Sequence, residues 1–129
     1  MFREISGVKQ IPGEPFRRWF SCESMDLFVW TGDLDEVVSY QLSYDKPHPE
    51  KALSWSVERG FSHDNVDDGS RPGRHPGSPI LVADGEFAVR RVLTLFQANA
   101  DQLENDLQEF IVSGISRHFN LDYNNQSWA

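Results

Sequence analysis

One stretch of this 129-residue chain concentrates the side chains that do chemistry: Phe61-Ser62-His63-Asp64-Asn65-Val66-Asp67-Asp68-Gly69, running on to Arg71, Arg74 and His75. Imidazole and carboxylate suit Zn, Mn or Fe, so His63, Asp67, Asp68 and His75 are candidate ligands for a divalent metal. A metal-dependent, hydrolase-like enzyme would then use Glu58 or Asp64 as its base. The spacing argues against it. His63 and His75 stand twelve positions apart, which matches no zinc pattern. As an EF-hand, Asp64 to His75 would put Val66 at a ligand position and His75 where a bidentate Glu is needed. Asp and Asn also build turns by hydrogen-bonding their own backbone, and Asp68-Gly69 is a common turn pair. Turn chemistry is the preferred reading, with no cofactor expected and a divalent metal as the alternative.

The same stretch supports a reading of opposite sign. Ser70, Arg71, Gly73, Arg74 and Ser78 could cradle a phosphate or carboxylate with guanidinium forks and backbone N–H groups. No Walker or dinucleotide pattern accompanies them, and solvated loop charges are the simpler account. Cys22 is the only cysteine, which excludes an internal disulfide. A thiolate pair with His63 or His75 is conceivable, but nothing beside Cys22 resembles a nucleophile signature. Asp45 and His48 would join a site only if their segment met the long loop.

The other candidates are rings. Trp19, Trp30, Tyr40, Tyr44 and Trp55 fall on segments that also carry Ser39, Gln41, Ser43, Ser54 and Ser56. Trp30, Tyr40, Tyr44 and Trp55, with Arg71 and Arg74, are the candidate contacts to a ligand or partner. The plainer reading makes the aromatics a core and the small polar residues the wet face of an antiparallel sheet.

These residues need elements to position them. Phe16 to Cys22, Leu27 to Thr31, Glu36 to Tyr44 and Ala52 to Arg59 read as strands. The third alternates most cleanly, with Val38, Tyr40, Leu42 and Tyr44 on one face. Gly32-Asp33-Leu34-Asp35 suits a hairpin turn, and Lys46-Pro47-His48-Pro49 breaks the ladder. Short links favour antiparallel neighbours, hence a meander. Residues 2 to 9 would add an edge strand and Ile80-Leu81-Val82 a further short one. Asn65 to Pro79, with three Gly and three Pro, is a loop of a length usually reserved for function or disorder. From there the period turns helical. Asp84 suits an N-cap, and Phe87, Val92, Leu95 and Phe96 recur at helical spacing. Leu103, Leu107, Phe110, Ile111 and Ile115 form a second stripe, behind a capping box of Asp101 and Glu104. The break is expected near Asn99.

The fold class is therefore α+β. An antiparallel β-meander of four to six strands is followed by two C-terminal amphipathic helices packed on one sheet face. Residues 1–129 form a single domain, with 120–129 a frayed tail. Twenty acidic against twelve basic side chains give a net charge of −8, which repels nucleic acid and anionic membranes. No stretch is apolar for the roughly 18 residues a membrane helix needs, and no signal peptide is present, so a cytoplasmic location is expected.

Several short strings together resemble an uncharacterised bacterial domain family. They are Arg17-Arg18-Trp19-Phe20, Asp26-Leu27-Phe28-Val29-Trp30, Tyr44-Asp45-Lys46, Ala52-Leu53-Ser54-Trp55, Val66-Asp67-Asp68-Gly69 and Pro79-Ile80-Leu81, within residues 16–87. The resemblance implies a small bacterial α+β protein and supplies no catalytic residues. The leading expectation is a non-enzymatic binding or interaction module, with a protein or small-molecule partner and a homodimer through the sheet. An enzyme using the His63 loop is the first alternative. The second is an acidic inhibitor or immunity-type protein that covers a basic partner.

Overall fold

The computed structural model describes residues 1–46, 51–65, 78–79 and 89–121. They fall into two compact units, Met1–Ile80 and Leu81–Ala129. The first holds the sheet and the second two helices, the α+β order read from the pattern.

The sheet is an antiparallel meander in strict sequence order. Five strands of six to eight residues form its body: β2 (Phe16–Ser21), β3 (Met25–Thr31), β4 (Val37–Tyr44), β5 (Lys51–Ser56) and β6 (Gly60–Asn65). A two-residue strand pairs at either edge, β1 (Arg3–Glu4) beside β2 and β7 (Ser78–Pro79) beside β6. The alternation in β4 keeps Tyr40, Leu42 and Tyr44 on one face. Register carries that face across the sheet through Phe20, Leu27, Leu42, Leu53 and His63. Phe20, Met25, Leu27, Val29, Tyr40, Leu42, Tyr44 and Leu53 are all buried there. Burying so many large apolar side chains is the main stabilising term for this unit.

The opposite face follows the complementary rows. Trp19, Phe28, Gln41, Ser54 and Ser62 form one row, and Arg17, Trp30, Ser39 and Ser56 the next. Gln41 and Ser43, expected on a wet face, are only 6% and 3% exposed. Every β4 residue from Tyr40 to Tyr44 is thus buried, so this strand is covered on both faces of the sheet.

Strand β6 departs from the sequence expectation, in which no strand lies between Arg59 and the loop at Asn65. Gly60-Phe61-Ser62-His63-Asp64-Asn65 has weak strand propensity. Its six-residue register with β5, Lys51↔Asn65 through Ser56↔Gly60, overrides that propensity.

In the second unit α1 (Val89–Asn99) and α2 (Asn105–His118) are separate helices, with the break where it was expected. Asn99 Nδ2 donates to Leu95 O at the end of α1. Val92, Leu93 and Phe96 of α1 are buried, as are Leu107, Ile111, Val112 and Ile115 of α2. The expected capping box does not form. Glu104 is itself the N-cap and makes no side-chain capping bond, while Asp101 lies in the preceding turn. At the other end Asn120, at φ 57, closes a Schellman motif in which Leu121 N donates to Ser116 O and Asn120 N to Arg117 O. No described helix is long and apolar enough to cross a membrane.

The proline break at 47–50, most of the 65–79 loop, the 80–82 strand, the Asp84 cap and the tail from 122 lie outside the described residues.

Candidate functional site

Three turns join or precede the strands at one end of the sheet, and each is fixed by its own hydrogen bonds. Ahead of β2, Glu14 N donates to Ile11 O at 3.1 Å around Pro12-Gly13, with Gly13 at φ 85. This is the type II geometry that Pro followed by Gly prescribes. Between β3 and β4, Gly32 N donates to Glu36 O at 2.8 Å and Asp35 N to Gly32 O at 3.1 Å. Asp35 takes the left-handed conformation at φ 64. The Glu36 carboxylate curls back to accept from Leu34 N at 2.9 Å. Between β5 and β6, Val57 N donates to Val38 O, Arg59 N donates to Ser56 Oγ at 3.0 Å, and Gly60 supplies φ 75.

Each of these ordered turns holds one aliphatic side chain out in water. Leu34 is 88% exposed, Val57 69% and Ile11 45%, and Phe16, the first residue of β2, is 56% exposed. Among the described residues of the sheet unit, Met1 is the only other exposed large hydrophobic side chain. Scattered exposed apolar residues need no explanation, but four gathered at one end of a sheet make that end the candidate contact surface.

The aromatic face adjoins this end. Trp19 and Phe28 stack across β2 and β3 with ring centres 5.5 Å apart, and Phe28 and Trp30 follow at 6.2 Å. Trp19 Nε1 donates to Asp26 Oδ1 at 3.0 Å, and Asp26 Oδ2 pairs with Lys46 Nζ at 3.0 Å. A small recess lined by Ile11, Pro15, Arg17 and Trp30 links the stack to the first turn. On the other side of β2 an open groove of about 460 Å³ runs past Ile5, Val8, Gln10, Phe16 and Arg18. Arg18 is held there by Glu4 at 2.8 Å and lies 4.8 Å over the Phe20 ring.

Of the residues singled out from the sequence, Trp30 belongs to the aromatic stack. Tyr40, Tyr44, Trp55 and His63 lie together on the opposite, apolar face. Tyr40 stacks on Trp55 at 5.6 Å and is fully packed; burial pushes its phenol pKa far above the ordinary value. The phenol therefore stays protonated and cannot serve as a base. Tyr44 Oη and His63 Nε2 share a 2.6 Å hydrogen bond. Metal ligation through Nε2 would have to break that bond. Asp67, Asp68, Arg71, Arg74 and His75 lie outside the described residues, so His63 is the one expected metal ligand the structure locates. No group of three or more His, Cys, Asp or Glu side chains poised for a metal occurs among the described residues.

Comparison with protein-family models, curated proteins and solved structures finds no match to this chain. The geometry alone carries the functional reading.

Sequence reasoning missed Ile11, Phe16, Leu34 and Val57. A signal was there: an aliphatic residue at the tip of each polar turn, in Gly32-Asp33-Leu34-Asp35 and Val57-Glu58-Arg59-Gly60, where the turn itself has no need of one.

Proposed function

We propose that this chain is a non-enzymatic protein-interaction module of the bacterial cytoplasm, and that it makes contact through the turn end of its sheet. The observation that carries this is the set of hydrogen-bonded turns that hold Ile11, Leu34 and Val57 in water beside exposed Phe16. Rigid turns make such a surface efficient. With the turn backbone already fixed, only the side-chain rotamers are left to order on association, so more of the burial appears as affinity. The aromatic stack from Trp30 to Trp19 extends the same surface along the sheet face.

The test compares the parent protein with L34S/V57S. Both substitutions fall on exposed turn positions, so the variant keeps the parent melting temperature to within a few degrees. Immobilised parent protein retains a specific partner from extracts of the cells that make it, and the variant does not. Equal retention by a folded L34S/V57S contradicts the reading.

A further inference from the structure

The same end of the sheet carries a second pattern, in charge. Among the described residues, Glu14, Asp33, Asp35, Glu36 and Glu58 are all exposed around the four apolar side chains, against exposed Lys9 and Arg59 and half-buried Arg17 of the opposite sign. Each turn thus displays one aliphatic group with at least one carboxylate next to it or a few positions away. Glu36 is tied to the Leu34 amide, so the acidic frame and the apolar tip are built by one turn.

Resting on the reading of this end as a contact surface, we infer that its occupant is a basic protein: an apolar groove rimmed by Lys and Arg that receives Leu34, Val57, Ile11 and Phe16 while its cations face Asp33, Asp35, Glu58 and Glu14. The alternatives fail on charge. An anionic lipid surface would be met by a ring of carboxylates, at a cost that rises as the tips approach. A second copy docked across a two-fold axis would set the same acids against each other. A basic rim instead gains attraction over the whole frame, steers the encounter, and leaves the apolar tips to supply residence time.

The probe is a helical peptide of leucine and lysine with lysines flanking a leucine stripe, and its counterpart with glutamate in place of lysine. Titration calorimetry at low salt is expected to show binding of the leucine–lysine peptide alone. Affinity falls at least about tenfold on raising salt from about 50 to 500 mM, where screening shortens the reach of exposed charges. It falls comparably in D33N/D35N/E58Q, where Asn at position 35 still tolerates the left-handed backbone. L34S/V57S abolishes it.

No binding of the leucine–lysine peptide overturns the inference. So does equal binding of both peptides, although loss of both in L34S/V57S would then leave the contact surface standing and remove only the basic partner. Binding unchanged in L34S/V57S removes the surface as well. Flotation of the parent with phosphatidylserine vesicles, lost in L34S/V57S, would assign the end to membrane. A concentration-dependent dimer lost in that variant would assign it to a second copy. Either result overturns the inference.

Discussion

The side chain of Gln10 does for Arg17 what a neighbouring strand would do: Gln10 Nε2 donates to Arg17 O at 2.8 Å, and Gln10 Oε1 accepts from Arg17 N at 2.8 Å. β1 covers the outer edge of β2 only as far as Glu4, with Ile5 N reaching Trp19 O, before the chain turns away at Gly7. Gln10 closes the edge where the backbone no longer can. An open edge is a template for pairing with another chain.

The expected effect of Gln10→Ala follows from that bond pair. Both hydrogen bonds are near the surface, so the loss is about 1 kcal/mol in urea unfolding. The larger effect is on association: with the Arg17 backbone bare, the variant forms concentration-dependent oligomers in sedimentation velocity that the parent does not. A monomeric variant of unchanged stability contradicts this role.

Tyr44 and His63 offer a second test. Their bond joins β4 to β6 across the face of β5 and ties a fully packed phenol to a half-buried imidazole. Tyr44→Phe keeps the ring and removes the hydroxyl, leaving His63 Nε2 without that contact. The expected cost is about 1–2 kcal/mol, read from the urea midpoint. No change would show that water replaces the hydroxyl freely.

Tyr40 makes the stability of the sheet unit fall at high pH. Its folded-state pKa is raised by burial, whereas the unfolded phenol ionises near its ordinary 10.0. Below that pH both states hold the proton and nothing changes. Above it the unfolded state releases a proton the folded state keeps, so stability drops by up to about 1.4 kcal/mol per pH unit. Tyr40→Phe removes that contribution, and its unfolding midpoints decline less steeply between about pH 10 and 11.5 than the parent's. Parallel declines would contradict the assignment.

The Leu34 turn depends on Gly32. A Cβ at that position would lie 2.5 Å from Glu36 Oε2, and the flexible carboxylate would swing away rather than the backbone yield. Gly32→Ala therefore loses the Glu36 bond to Leu34 N and loosens the turn, at a cost below about 1 kcal/mol. The Leu34 amide then exchanges faster in hydrogen–deuterium measurements, and the turn end binds its partner several-fold more weakly. Unaltered exchange at Leu34 would show that Glu36 does not fix the tip.

The sheet was legible where alternation was strong. Val38, Tyr40, Leu42 and Tyr44 announce β4 and its buried face, and Gly32 to Asp35 announces the hairpin that joins it to β3. β6 was hidden because Ser62, His63, Asp64 and Asn65 favour turns on their own, and only pairing with β5 makes them a strand. Asp101 and Glu104 have the spacing of a capping box, but α2 starts one residue after Glu104, too late for it. The aromatic candidates were correctly seen as strand residues. Register then divided them, with Trp30 on one face and Tyr40, Tyr44 and Trp55 on the other, because successive side chains point to opposite sides. The proposed contact surface was least legible. An isolated Leu or Val in a polar turn carries no periodic signal, and only the meander brings three such turns to one end.

The most direct measurement is an amide chemical-shift map of the uniformly labelled protein titrated with the leucine–lysine peptide. The account predicts the largest perturbations at residues 11–16, 32–36 and 57–60, with smaller ones along the Trp30 row. Perturbations concentrated instead on α1 and α2, or on the Tyr44 and His63 face, would contradict it.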